Sequence, residues 1–289
     1  MSMSVGQRAR QLVLVLLAVA GLVGGTTPAL AATAGPAPDT ARHGRTYLAL
    51  GDSVPFGFIG NRPDLYPDAD NLVGYPDLVA DELDLRLRNA SCPGETTDSF
   101  IDATAQSNGC ENRLGSDIGY RDLYPLHVTY EGSQLDYAVQ TLDDGHRVRL
   151  VTLQLGANDG FICVATGACD TPEGLAALTA HVQANLDQIL STLRNDGHYW
   201  GRIVVVTYYA LDYTEPAGVA FIQAVNQALI AAAEANKAVV ADGFAAFRSR
   251  ALAAGGSSIA AGLVYPNDVH PTAKGHRLLA RAVERAVGH

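Results

Sequence analysis

The sequence predicts an α/β protein whose mainly parallel, five-stranded sheet is covered by helices on both faces. Two observations carry that expectation. Short β-branched runs recur along the 289 residues, and stretches of helical period separate them. No Gly/Ser/Pro-rich linker interrupts the chain after residue 44, so residues 45–289 read as one domain. A chain of this size buries ample core without metal staples.

The elements follow in order. Residues 1–31 have the three parts of a signal peptide: a basic start with Arg8 and Arg10, an uncharged apolar run from Leu12 to Val23, and an Ala29-Leu30-Ala31 ending. The run falls short of the about 20 residues a membrane span needs. Residues 32–44, small and proline-bearing, read as a flexible leader. No second span is expected downstream, so the mature, secreted protein is expected to be soluble without stable membrane insertion; a monomer is expected. Candidate strands are TYLAL (46–50), LRLRNA (85–90), RLVTLQL (149–155), RIVVVTYY (202–209) and AVVAD (238–242). Leu175, Leu178, Val182, Leu186, Ile189, Leu190 and Leu193 recur at spacings of three and four, the stripe of one buried helix face. That helix opens after Thr171-Pro172, a cap followed by a first-turn proline, and closes before Asn195-Asp196-Gly197. An Ala-rich helix is expected around 224–238, and a last helix beyond Pro271 packs Leu278, Leu279, Ala282 and Val283.

Net charge and cysteines bound the function. The charge is −10, or about −12 once Arg8 and Arg10 leave with the leader, and no basic cluster offsets it. Nucleic acid and anionic membranes are therefore poor partners, and a small-molecule or lipid substrate is the better expectation. Four cysteines in an exported chain suggest disulfides, for which three connectivities exist. Neighbour pairing, Cys92–Cys110 and Cys163–Cys169, is expected because each pair closes a loop between strands. A zinc site competes weakly, since there is no C-x-x-C spacing and no histidine nearby in sequence.

Parallel sheets bind ligands outside the carboxyl ends of their strands, so those ends hold the candidate chemistry. After the first strand, Gly51 permits a tight exit, and Ser53 sits where strand becomes turn, hydroxyl and N–H toward the cleft. After the second, Gly94 precedes Glu95 and lets a backbone N–H approach an oxyanion closely. After the third, Asn158 offers an amide donor, and Asp159 can hold the loop through backbone N–H groups. After the last, Tyr265–Pro271 (YPNDVHP) delivers His270. Each feature alone is also an ordinary turn. Together they supply nucleophile, base and oxyanion donors, the inventory of acyl transfer.

The ordered set Gly51-Asp52-Ser53, Gly94, Gly156-x-Asn158-Asp159 and His270-Pro271 resembles the SGNH (GDSL) hydrolase superfamily across the whole mature domain. The disulfide-bearing, exported form is similar to its secreted bacterial lipases and esterases. The resemblance implies a flavodoxin-like three-layer α/β/α sandwich and a cofactor-free serine esterase. It makes Ser53 the nucleophile and His270 the base, with Ser53 N–H, Gly94 N–H and the Asn158 amide as oxyanion donors. Val54 stands where many members have leucine.

One departure matters more. The family's acid lies three residues before the histidine, and here that position is Asn267, with Asp268 one place later. The third member must accept a hydrogen bond from His270 Nδ1–H. Asp268, Asn267 and a main-chain carbonyl compete for this; Asp268 is favoured because a buried imidazolium gains most from an anion. Activity is expected to rise with pH near the ordinary histidine value of about 6.5.

Other readings keep a place. A carbohydrate acetylesterase or an acyltransferase would use the same residues. Asp52, Asp159, Asp268 and His270 could instead hold Mg²⁺ or Zn²⁺ for phosphoester hydrolysis, a reading that leaves Ser53, Gly94 and Asn158 idle. The chain could also be a secreted binding module that kept the fold. Residues 54–76, with Phe56, Phe58, Ile59 and Tyr66, and residues 103–132 are long for connectors. With Phe161, Ile162, Tyr208, Tyr209 and Tyr213 they are expected to line a pocket for short to medium acyl chains, loop–sheet packing being the alternative. Trp200 is expected to pack, and the remaining histidines show no ligand spacing.

Overall fold

The computed structural model describes residues 44–144 and 147–288; the expected signal segment 1–31, and the leader apart from Gly44, lie outside the described residues. Five strands form one sheet: β1 (Thr46–Gly51), β2 (Arg86–Asn89), β3 (Val148–Gln154), β4 (Arg202–Val206) and β5 (Val239–Ala241). Their order is β2-β1-β3-β4-β5, and every neighbouring pair is parallel. Apolar residues fill the central strands because both faces are covered: Tyr47 to Leu50 of β1 and Ile203 to Val206 of β4 are almost wholly buried. Edge strand β2 carries Arg86 and Arg88 instead.

Helices make the outer layers. On one face lie α2 (Tyr75–Glu82), α9 (Gly243–Ala253) and α10 (Ala273–Val287), where α10 packs on both others and on β4 and β5. The opposite layer holds α3 (Thr97–Ile101), α5 (Gln134–Asp143), α7 (Pro172–Asn195) and α8 (Pro216–Ala235), α7 and α8 side by side. Three shorter or sheet-end helices complete the set: α1 (Ser53–Phe56), α4 (Tyr120–Leu123) and α6 (Ala157–Thr166). This is the expected three-layer α/β/α sandwich. Thr171 Oγ1 caps α7 by accepting Gly174 N–H, and Leu178, Val182, Leu186, Ile189, Leu190 and Leu193 are buried along its inner stripe.

Several expectations need correction. The fourth strand stops at Val206, short of 209, because Asn226 on α8 captures the Tyr208 backbone: its Oδ1 accepts the N–H and its Nδ2 donates to the carbonyl, both at 2.8 Å. Helix α8 is, by length and mean hydropathy of 1.3, apolar enough to cross a membrane, which the sequence reading overlooked. Here Val225, Ala228, Leu229, Ala232 and Ala233 are buried against α7 and the sheet. Trp200 does not pack; it is 70% exposed.

The expected disulfides are both present, Cys92–Cys110 and Cys163–Cys169. A second, smaller core of Phe56, Tyr66, Ala69, Leu72 and Tyr120 lies apart from the main one. It joins the long segments 54–76 and 103–132 through ring contacts, Phe56 on Tyr120 at 5.4 Å and Tyr66 on Tyr124 at 5.3 Å between centroids.

Candidate active site

The order β2-β1-β3 puts the exits of β2 and β3 on either side of the β1 exit, the crevice where open α/β sheets bind ligands. Gly51 takes φ 132°, and a Cβ there would lie 2.0 Å from the Gln154 carbonyl oxygen, so only glycine lets β1 leave the sheet here. Asp52 then caps α1, its Oδ1 accepting Val54 N–H at 2.9 Å. Ser53 is the first residue of that helix, so its N–H has no intrahelical acceptor.

The histidine arrives from the far end of the chain. His270 Nε2 lies 3.0 Å from Ser53 Oγ, and His270 Nδ1 lies 2.5 Å from Asp268 Oδ1. Asn267 sits exposed at φ 56°, in the left-handed region that asparagine tolerates, whereas Asp268 turns inward and is buried. Asp268 Oδ1 also accepts Val269 N–H at 2.7 Å, and its Oδ2 accepts Gly60 N–H at 2.8 Å. Burial pushes this carboxyl up, but its hydrogen bond to His270, the charge on that ring and the two N–H groups outweigh burial, holding it below the usual carboxylate value. Phe58 meets the His270 ring edge to face, centroids 5.1 Å apart.

The other two exits converge as well. Gly94 has φ 88°, and a Cβ there would come within 2.6 Å of Gly109, so the loop after β2 closes tightly on itself. Asn158 opens toward that loop from α6: its Nδ2 donates to the Glu95 carbonyl and its Oδ1 accepts Asn108 Nδ2, each at 2.9 Å. Asp159 holds the start of α3, accepting Thr97 N–H at 3.1 Å and Thr97 Oγ1–H at 2.5 Å. Burial raises its carboxyl in spite of those bonds.

Asp52 is buried too, and burial pushes it up to about 6 against hydrogen bonds from Tyr208 and Val54. The oxygen-rich set of the metal reading does not come within reach of one ion. Among the described residues the one such grouping is Cys92, Glu95 and Cys110, whose sulfurs are already bonded to each other.

A model of the GDSL-like lipase/acylhydrolase family matches residues 49–278, from β1 into α10. The chain belongs to the GDSL-like lipase/acylhydrolase family. No curated protein matches the sequence. Solved structures do. LAE5, an alpha/beta hydrolase enzyme from the metagenome of Lake Arreo, shares 18% identity at a TM-score of 0.53, over 84% of this chain and 94% of its own. A variant of Axe2, an acetyl xylan esterase from Geobacillus stearothermophilus, shares 18% at 0.51, over 84% and 94%. At such identities the likeness is one of fold.

Within this GDSL-like acylhydrolase some residues lie elsewhere than expected, and others escaped the sequence reading. Tyr208 and Tyr209, expected to line an acyl pocket, face inward instead: Tyr208 Oη donates to Asp52 Oδ2 at 2.5 Å, and Tyr209 Oη to the Val269 carbonyl at 2.6 Å. Phe56 and Tyr66 are likewise buried, in the second core. Gln134 bridges two strand exits, accepting Gly51 N–H at 2.6 Å and donating to Glu95 Oε2 at 2.8 Å. Nothing local marks Gln134, Asn108 or Gly60. The cysteine pairing alone outlined the loop that carries Asn108.

Proposed function

We propose that this acylhydrolase is a secreted serine esterase that cleaves carboxylic esters, with short to medium acyl chains favoured. The relay from Ser53 Oγ through His270 to Asp268 carries the reading. In it, His270 Nε2 takes the hydroxyl proton as Ser53 Oγ attacks the ester carbonyl. Asp268 keeps the second ring proton on Nδ1 and stabilises the imidazolium. The tetrahedral oxyanion takes hydrogen bonds from Ser53 N–H, Gly94 N–H and Asn158 Nδ2. His270 then gives its proton to the leaving alcohol, and water repeats the sequence on the acyl-enzyme. Two disulfides support an exported protein, since such bonds persist in oxidising compartments.

The test is a fluorophosphonate probe with peptide mapping, alongside p-nitrophenyl esters of increasing chain length. A single adduct on Ser53 is expected, with both adduct and turnover gone in Ser53→Ala. Full turnover in that variant would sink the serine reading. Activity restricted to acetylated sugars would sink the chain-length preference alone.

A further inference from the structure

Asn158 can serve an oxyanion only if its nitrogen, rather than its oxygen, faces the place where the charge develops. Two neighbours fix that choice. The Glu95 carbonyl can only accept, so the amide atom 2.9 Å from it is Nδ2, one of whose two hydrogens is spent there. The opposite amide atom is therefore Oδ1, and the group 2.9 Å from it must donate; that group is Asn108 Nδ2. Asn108 acts on the other donor as well. Its backbone N–H reaches the Gly94 carbonyl at 2.7 Å, and the next residue, Gly109, packs against Gly94 where a Cβ would stand. Cys92–Cys110 closes the loop around Gly94 and Asn108. One residue thus touches both β2-side and β3-side parts of the anion pocket.

We propose that Asn108 is a positioning residue for the oxyanion pocket, orienting the Asn158 amide by its side chain and the Gly94 loop by its backbone. This rests on the serine-esterase reading. Asn108 touches no reacting atom in it; its side chain acts through Asn158 and its backbone through the Gly94 loop. Removing its side chain frees Asn158 to swing or flip, which weakens stabilisation of the charged transition state and leaves ground-state ester binding alone. Replacing it with aspartate sets a carboxylate against Oδ1 and turns the amide the wrong way.

The experiment is a double-mutant cycle on the full chain with p-nitrophenyl acetate and butyrate: Asn108→Ala, Asn158→Ala and both together, plus Asn108→Asp. Asn108→Ala is expected to lower kcat by about 10- to 100-fold with KM nearly unchanged. Asn108→Asp is expected to be at least as slow. The double variant is expected to match Asn158→Ala within about 2-fold, because the Asn108 side chain acts only through Asn158 and its backbone contact to Gly94 survives the substitution. If Asn108→Ala folds poorly, Asn108→Ser takes its place in the cycle. An Asn108 variant with kcat within about 2-fold of the parent overturns the proposal, as does a double variant whose loss is the product of the single losses. Failure of the esterase reading looks different: the parent then takes no fluorophosphonate on Ser53, and the proposal falls with it.

Discussion

Asn267 is one of four described non-glycine residues with positive φ, and that kink decides which side chain reaches His270. The left-handed turn leaves the Asn267 amide in solvent and swings the next residue, Asp268, under the imidazole. Asp268→Asn is expected to lower kcat by about 10⁴-fold, through the wrong tautomer and an unstabilised imidazolium. Adding Asn267→Asp to that variant should recover nothing; recovery would mean that position 267 reaches the ring after all. The same carboxyl bears on stability. Because its folded value is depressed, its contribution is present above the unfolded value near 3.9 and is lost as pH falls through the folded value. The meeting of Ser53 and His270 was readable because Ser53 follows the β1 exit and His270 stands in the Tyr265–Pro271 stretch, although the structure puts that stretch between α9 and α10 rather than at a strand end. Which side chain meets His270 Nδ1 was not, since it depends on a backbone rotation that Asn267 permits but does not require.

The two disulfides make a contrast at the scale of elements. Cys92–Cys110 spans 18 residues and holds the loop after β2, whereas Cys163–Cys169 spans 6 and ties the end of α6 to the turn before α7. Loop-closure entropy assigns about 3 kcal/mol to the first and about 2 kcal/mol to the second. Paired Cys→Ser variants should lose stability in that order in denaturant titrations. Only the 92/110 pair should also lose kcat, because Gly94 and Asn108 sit inside its loop; equal kcat losses would deny that loop its role. Strands, the α7 stripe and the cysteine pairing were legible because period and spacing encode them. Contacts such as Asn108 to Asn158, 50 residues apart, or Gly60 to Asp268, 208 apart, join segments distant in the chain and leave no periodic trace. The tyrosines after β4 show the reverse error: aromatic residues near a rim suggested a pocket, but their hydroxyls had partners to hold inside.

Across the whole molecule, buried titratable groups set the response to acid. His276 on α10 is 3% exposed, and neither ring nitrogen has a partner among the described residues. Burial, helped by the charge of His270, pushes it down to about 3. Its sign follows from linkage: the folded chain keeps the ring neutral while the unfolded chain protonates it below about 6.5, so stability falls as pH drops from there toward 3. Unfolding titrations of the parent should lose on the order of 2–3 kcal/mol more between pH 7 and 4.5 than those of His276→Leu. Identical slopes would mean that the fold accommodates the protonated ring, with an acceptor or anion beside His276. The second core under the β1 exit has a different reach. Phe56, Tyr66 and Tyr120 brace one flank of the cleft, and Phe58 in the same segment touches His270. That flank is furnished separately from the frame beneath it, so its rings can be exchanged without touching the sheet, provided Gly60, Asn108 and Cys110 keep their contacts.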